Sequence, residues 1–481
     1  MSALSVQGVS SFAGKSLVTT ALARAFARRG VRVAPFKAQN MSNNARVVDG
    51  GEIGAAQYLQ ALAAGIAPDV RMNPILVKPE AEDRSQVVVL GQVDHDLSRR
   101  RWRERPASLW PVVERALHEL LAEFELVLLE GAGSPAETNL RSTDLSNMRA
   151  AHAADAPVLL VADIDRGGAF AHLHGTWALV SEDDRRRLTG FVLNKFRGDE
   201  RLLAPAPEDL ERTTGMTYVG LLPFVEHGLP DEDGAAQPTP RPGEPRVAVV
   251  RYPTASNLDE LKLLEQVADL VWAQDADDLT DAELVILPGS KHVSSDLAWL
   301  RRRGFDSAIA RAARRGTRVL GICGGLQMLG DELTDPAGVD GDARGLGLLP
   351  VRTTFERTKR TEAVELTFGQ LPAPWRTLSG KRVGGYEIRH GETRPDGVVA
   401  EALPWGRGFV AGAVLGISIH GVLEEPDVVA ALIGRAPGRT LEAVFDDLAD
   451  LVEARLDISL LARSAGVSSA AREGVDHRGV T

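Results

Sequence analysis

A single cysteine stands in 481 residues, aromatic side chains make up only 5%, and basic residues do not outnumber acidic ones. One Cys excludes intramolecular disulfides and any Cys-clustered zinc site. No apolar run approaches the roughly 18 to 20 residues of a membrane span. The opening "MSALSVQGVSS" has neither the basic start nor the long apolar stretch of a secretory signal, so a cytoplasmic protein is expected. With 55 Lys and Arg against 66 Asp and Glu, the net charge of -11 gives no general attraction for nucleic acid or an anionic membrane surface. What is present, 44% hydrophobic and 25% charged residues, suits a globular enzyme or switch with two or three cores.

Short apolar runs alternate with amphipathic stretches from Ala3 onward: "ALSVQG", "KSLVTTALARAFARRG", "VRVAPFK", "ELVLLEGAGS", "APVLLVADIDRGG", "LTGFVLNKFRGD". Nearly continuous apolar strands separated by helices predict an α/β fold with a mainly parallel sheet covered on both faces. In the first helix Val18, Leu22, Ala25 and Arg29 share a side, and Gly30 sits where the helix would stop. Pro, Gly and charge then replace apolar residues in "HGLPDEDGAAQPTPRPGEPR", which reads as a linker. The alternation restarts with "VAVVRYP", "LDELKLLEQVADL", "AELVILPGS", "TRVLGICGG" and "GAVLGISIHG", a second α/β unit. The expected division is 1–228, a linker at 229–245, a second unit at 246–439, a helical segment at 440–470 around "LEAVFDDLADLVEARL", and a disordered tail at 471–481.

"GVSSFAGKS" follows a strand and opens a helix, the setting of a phosphate-binding loop. Backbone N–H groups from Gly8 through Ser10, Ser11 and Gly14 would cradle phosphate oxygens, Lys15 would add a mobile positive charge, and the Ser16 hydroxyl would reach Mg²⁺. Five residues rather than the usual four separate Gly8 from Gly14. Glu130 ends the run "LVLLEGAGS", where such folds keep a carboxylate for Mg²⁺. Asn194 in "FVLNKFRGD" is placed to pair with a nucleotide base edge, or to cap a loop. Asp163 and Asp165 in "VADIDRGG" read equally as metal or substrate groups and as a helix N-cap.

The lone cysteine, Cys323, lies in "VLGICGGLQMLG", at a strand-to-helix turn flanked by glycines. Small neighbours permit the sharp turn of a nucleophile elbow. A thiol with a pKa of ~8.5 is only about 3% ionised at pH 7, so a helix N-terminus and an imidazole are expected to stabilise the thiolate. The Gly324 N–H is suited to an oxyanion hole, with a second donor expected at Gly289 in "LPGS". His420, ending "GISIHG", is the candidate base; His292 in "GSKHVSS" and His390 in "YEIRHG" are candidates for substrate contact at most.

"GICGGLQMLG" with "SIHG" is similar to the class I, triad-type glutamine amidotransferase domain. "PFKAQNMSNNARVVDGGEIGAAQ", "EGAGSPAETNLRSTDLSNM", "ADIDRGGAFA", "LNKFRGD" and "GYEIRHG" together resemble the cobyric acid synthase family, in the right order over nearly the whole chain. The "GVSSFAGKS" loop, extra residue included, also resembles that of the dethiobiotin synthetases. The resemblance implies a P-loop NTPase-like synthetase domain followed by an amidotransferase domain. It implies ATP- and glutamine-dependent amidation of the b, d, e and g carboxylates of adenosylcobyrinic acid a,c-diamide, a step of cobalamin biosynthesis. ATP with Mg²⁺ would make an acyl phosphate in the first unit, while Cys323 and His420 release ammonia from glutamine in the second. Many amidotransferases of this class carry a Glu two residues after the His; here that position is Val422, so a Cys323–His420 dyad is expected, with Glu424 and Glu425 the nearest carboxylates in sequence. Phe12 and Arg389 stand where relatives often have Asp and His.

Three rivals remain. An a,c-diamide synthase would act on the unamidated corrin precursor, but "KAQNMSNNARV" with "GGEIGAAQ" favours the cobyric acid branch. A nucleotide-driven partitioning switch would carry an extra Lys early in the loop, where Val9 and Ser10 stand, and needs no cysteine elbow. A cysteine peptidase leaves the first unit without a task.

Overall fold

A computed structural model of the chain describes residues 2–81, 84–229 and 237–467. Most of the expected linker's core and the whole expected tail at 471–481 lie outside the described residues.

The first unit is built on six strands in the order Thr217–Pro223, Leu188–Phe196, Val158–Asp163, Ser2–Gly8, Leu126–Glu130 and Val33–Phe36. All are parallel. Parallel strands covered on both faces need apolar residues throughout, and Leu126 to Leu129 are buried without a break. Ser2–Gly8 lies inside the sheet, and the chain fills one edge before crossing to the other, so the loop after Gly8 opens at a switch point. The helix Lys15–Arg28 follows, with Val18, Leu22 and Ala25 fully buried and Gly30 at φ 79° past its end.

The second unit has seven strands in the order Asp269–Ala273, Arg246–Val250, Leu284–Leu287, Arg318–Ile322, Val414–Ile417, Gly408–Ala411 and Ala400–Leu403. The first five are parallel and the last two antiparallel. Arg318–Ile322 is the middle strand, so whatever follows its two neighbours converges on Cys323. A long antiparallel pair, Val351–Thr367 with Arg382–Pro395, stands outside this sheet.

Two segments depart from the sequence expectation. "LDELKLLEQVADL" reads as amphipathic but forms only two 3₁₀ turns, Leu258–Leu261 and Leu264–Gln266. The reason is that Asp259 and Glu260 are buried, Asp259 against Arg46 of the first unit and Glu260 against His420, not turned to solvent as an amphipathic helix would have them. The helix Leu441–Arg455 forms as the pattern predicts, capped by the Thr440 side chain, but it is not a separate appendage. Val444, Phe445, Leu448, Ala449 and Val452 share one core with Val18, Leu22 and Phe26 of the first unit. Arg24 and Arg28 pair with Asp446 and Asp450 along the seam. The chain therefore ends by returning to the unit in which it began.

Candidate functional sites

The phosphate loop joins the central strand to the first helix. Phe12 is held at φ 59° and Gly14 at φ 101°, turning the backbone across the end of the sheet. Lys15 Nζ folds back over the loop to the carbonyls of Ser10 and Gly133, 3.2 and 3.3 Å away, as a cation waiting over a ring of backbone N–H groups does. Gly8 must lack a side chain, because a Cβ there would lie 3.1 Å from Lys15 Nζ and 2.8 Å from Ser10 O. Ser11 and Phe12 are exposed at the rim.

Ser16 and Glu130, assigned together on sequence, stand together: Ser16 Oγ donates to Glu130 Oε1 over 2.9 Å. Glu130 is fully buried and also receives Lys37 Nζ at 2.9 Å and Gln60 Nε2 at 2.5 Å. Asn194 is a different matter. Its amide nitrogen donates to Ala13 O at 2.9 Å and lies over Gly14, so in this structure it braces the phosphate loop, the loop-capping alternative of the two read from sequence. Asp163 accepts from Lys195 Nζ and from the backbone N–H of Asp165, which makes it the anchor of its own turn.

The glutaminase-like centre forms where three strand ends meet. Cys323 has φ 51° and ψ −104°, a strained conformation for a residue with a side chain, between the strand Arg318–Ile322 and the helix Gly324–Leu329. Its N–H donates to Ile417 O at 2.7 Å, and Gln327 N–H donates back to its carbonyl. The flanking glycines have steric reasons. A Cβ on Gly325 would overlap the carbonyl of Leu287, and one on Gly324 would come 2.7 Å from Ser290 N.

The Cys323 thiol donates to Ile388 O at 3.8 Å; His420 is fully buried, with the Cys323 sulfur near one edge of its ring. The ring nitrogen Nδ1 is 2.9 Å from Glu260 Oε1, and the second oxygen of Glu260 accepts the Gly421 N–H at 2.8 Å. The sequence expectation of a dyad is thus corrected: a third member is present, supplied from a turn 160 residues upstream of the histidine. Glu424 and Glu425 do not orient the ring. Glu424 pairs with Arg46, and Glu425 accepts from Gly384 N–H. Burial by itself would lower the His420 pKa, but the Glu260 carboxylate and the cysteine sulfur outweigh it and push it up to about 10. The ring is held as an imidazolium at neutral pH.

The backbone N–H that faces Gly324 is not that of Gly289 but that of the next residue. Gly289 pairs with Ser256, and Ser290 with Ala255, in a short antiparallel ladder. Lys291 N–H donates to Thr254 O, which fixes the ladder's phase. Gly289 therefore spends its N–H on Ser256, while the N–H of Ser290 faces the other way, onto Gly324. Gly289 serves a steric role instead: a Cβ there would meet His420 Cε1 at 2.7 Å.

His390 and His292 are not bases for this sulfur. Burial and the neighbouring Lys359 push His390 down to about 4, and its carbonyl holds Gln327 Nε2 at 3.2 Å. His292 faces Asp340. Two residues that sequence reasoning missed stand near the sulfur, Lys291 and Lys359, which burial lowers to about 7. Lys359 pairs with the buried Glu52 of the first unit, as does Lys78. Arg389 is tied to Glu387.

Among the described residues no group of three or more His, Cys, Asp or Glu is gathered as a metal site, and no helix is long and apolar enough to cross a membrane.

Two family profiles match the chain. A family profile described as a CobQ/CobB/MinD/ParA nucleotide binding domain matches residues 4–229, and one described as a CobB/CobQ-like glutamine amidotransferase domain matches residues 246–428. The chain is 52% identical over 493 residues to a protein of Polaromonas sp. (strain JS666 / ATCC BAA-500) named cobyric acid synthase, covering 95% of this chain and 97% of that one. It is 54% identical over 470 residues to one of that name from Variovorax paradoxus (strain S110), covering 95% and 98%. It is 54% identical over 465 residues to another from Polaromonas naphthalenivorans (strain CJ2), covering 93% and 96%.

Proposed function

The chain belongs to the cobyric acid synthase family, and from that premise we propose that it amidates the b, d, e and g carboxylates of adenosylcobyrinic acid a,c-diamide with ATP and glutamine. The observation that carries the reading is the pairing, in one chain, of a phosphate loop beside Ser16 and Glu130 with a Cys323–His420–Glu260 centre.

A carboxylate resists attack by ammonia until one of its oxygens becomes a good leaving group. In the first unit a corrin carboxylate oxygen attacks the γ-phosphorus of ATP, ADP leaves, and an acyl phosphate results. Lys15 and the loop N–H groups stabilise the charge on the transferring phosphoryl group. Ser16 Oγ and Glu130 Oε1 are hard oxygen donors side by side, a donor set that fits Mg²⁺ completed by phosphate and water oxygens. Ser16 and Glu130 would hold such an ion, which would supply neutralisation of phosphate charge. Lys37 and Gln60 hold the Glu130 carboxylate in place.

In the second unit the Cys323 sulfur attacks the side-chain amide carbon of glutamine, and the oxyanion falls between the Gly324 and Ser290 N–H groups. His420 gives its proton to the departing ammonia. Water, losing a proton to the same imidazole, then hydrolyses the glutamyl thioester and releases glutamate. Glu260 fixes the ring's orientation and stabilises its charge throughout. Ammonia displaces phosphate from the acyl phosphate to give the amide.

The direct test is incubation of the protein with a corrin a,c-diamide, MgATP and glutamine, followed by mass spectrometry. Each amidation lowers the mass by about one unit as OH is exchanged for NH₂, and four are expected. Turnover of cobyrinic acid itself, with the a,c-diamide untouched, would instead assign the a,c-diamide synthase reaction.

A further inference from the structure

Arg46 belongs to the first unit, on the hairpin Ala45–Val48 with Gly51–Gly54, yet every strong partner of its guanidinium lies in the second. Its Nη1 donates to Tyr386 Oη at 2.7 Å, and Nη2 lies 2.5 Å from both Asp259 and Glu424 carboxylate oxygens. The guanidinium carbon also sits 5.2 Å from the Tyr386 ring centre. The contacts with Asp259 and Tyr386 are buried, the Arg46 side chain being 4% exposed and that of Asp259 1%, whereas the Glu424 side chain is 40% exposed at the rim. Asn257 reinforces the junction, donating one amide N–H group to Ala45 O and one to Tyr386 Oη.

Each partner of Arg46 is one step from the catalytic histidine. Tyr386 stacks on the His420 ring, with centroids 5.5 Å apart and planes 24° apart, and exchanges both backbone hydrogen bonds with it. Asp259 precedes Glu260 in the same 3₁₀ turn. A cation from the first unit therefore holds both the ring stacked on the imidazole and the turn that carries its carboxylate. A buried arginine among carboxylates is costly to place unless all its partners are fixed, so it defines their positions sharply.

The segment bearing Arg46 reaches the other site at both ends. Lys37, before the hairpin, and Gln60, in the helix Ala55–Ala63 that follows it directly, both bind Glu130. Residues 37–60 thus contact the carboxylate beside the phosphate loop twice and the glutaminase centre in the middle.

We propose that Arg46 is a positioning residue of the glutaminase centre, and that residues 37–60 couple glutamine hydrolysis in the second unit to occupancy of the phosphate loop in the first. The proposal rests on the functional reading above. Arg46 touches neither glutamine nor nucleotide; it acts by setting Tyr386 and the Asp259–Glu260 turn. The charged and titratable groups facing the His420 pair from all sides are Cys323, Glu260, Asp259, Glu424, Arg46 and Tyr386.

The experiment compares the full-length protein with Arg46→Met, Arg46→Lys and Tyr386→Phe. Tyr386→Phe removes only the hydroxyl that Arg46 addresses and leaves the ring on His420. Glutamine hydrolysis is followed as a function of pH, with and without MgATP and the corrin a,c-diamide, alongside amidation from ammonium salt. We expect Arg46→Met to lower kcat for glutamine hydrolysis at least tenfold, move its alkaline limb to higher pH, because the Asp259 and Glu424 carboxylates are left unneutralised near the imidazolium, and abolish its response to MgATP, with amidation from ammonium unchanged. Arg46→Lys recovers part of the rate, and Tyr386→Phe shows the same pH displacement in smaller degree. Should Arg46→Met not fold, Tyr386→Phe decides alone. Wild-type kcat, pH profile and MgATP response in the folded variants would overturn the proposal. Loss of ammonium-supported amidation along with hydrolysis would equally overturn it, by making Arg46 a support of the whole fold. Failure of the wild-type protein to use glutamine at all would instead refute the functional reading.

Discussion

His420 Nδ1 and Glu260 Oε1 lie 2.9 Å apart although 160 residues separate them, and both side chains are almost wholly removed from solvent. On the proposed function this contact completes an arrangement of nucleophile, proton carrier and orienting carboxylate, and it does so from a turn rather than from the segment after the histidine.

Replacing Glu260 by Gln keeps the hydrogen-bonding shape and removes the charge. The His420 pKa is raised to about 10, so the ring keeps its proton until pH rises through that value. Without the carboxylate, burial works against the charged ring and the pKa falls. The alkaline limb of glutamine hydrolysis then moves to lower pH, and kcat at pH 8 drops by about 100-fold, within the range general acid catalysis supplies. A pH–rate profile with glutamine, beside unchanged amidation from ammonium salt, checks this.

At the elbow, Gly325→Ala places a methyl group on the Leu287 carbonyl, in a backbone contact that no side-chain rotation relieves. The expected cost is about 3 kcal/mol together with loss of glutaminase activity. Gly175→Ala, inside the helix Ala169–Leu179 with nothing within 4 Å of the added carbon, should be neutral or stabilise by about 0.5–1 kcal/mol. Thermal unfolding of the two variants distinguishes a packing glycine from an incidental one.

Phe445 is fully buried in the helix that closes on the first unit. Phe445→Ala should cost about 3–5 kcal/mol. Because that core belongs to the synthetase unit, MgATP binding should weaken before glutamine hydrolysis does. Calorimetry, with the two activities assayed after partial heating, reads the order.

How much of this was legible in the chain depended on whether partners were close in sequence. Lys15, Ser16 and the glycines of the phosphate loop sit in one strand-to-helix turn, and so does Cys323, so local spacing was enough. The pairing of Ser16 with Glu130 followed because Ser16 opens the helix after one strand of a predictable parallel sheet and Glu130 ends the neighbouring strand. Glu260 was hidden in "NLDELKLL", which carries the charge pattern of a surface helix; only the burial of Asp259 and Glu260 against Arg46 and His420 breaks it into a 3₁₀ turn. The choice between Gly289 and Ser290 as donor turned on the phase of a two-residue ladder, which composition does not carry. Asn194 looked free at a strand end but is taken by Ala13 O. The amphipathic face of Leu441–Arg455 was plain, whereas its target, over 400 residues back at Arg24 and Arg28, was not.

The account stands on two separable chemistries, one activating a carboxylate and one releasing ammonia. The measurement that tests this most directly is the mass of the corrin product made by Cys323→Ala with MgATP and either glutamine or ammonium salt, beside Lys15→Ala under the same conditions. The account predicts no amidation by Cys323→Ala from glutamine, near wild-type amidation from ammonium, and none by Lys15→Ala from either donor. Full glutamine-dependent amidation by Cys323→Ala, or amidation by Lys15→Ala at the wild-type rate, would contradict it.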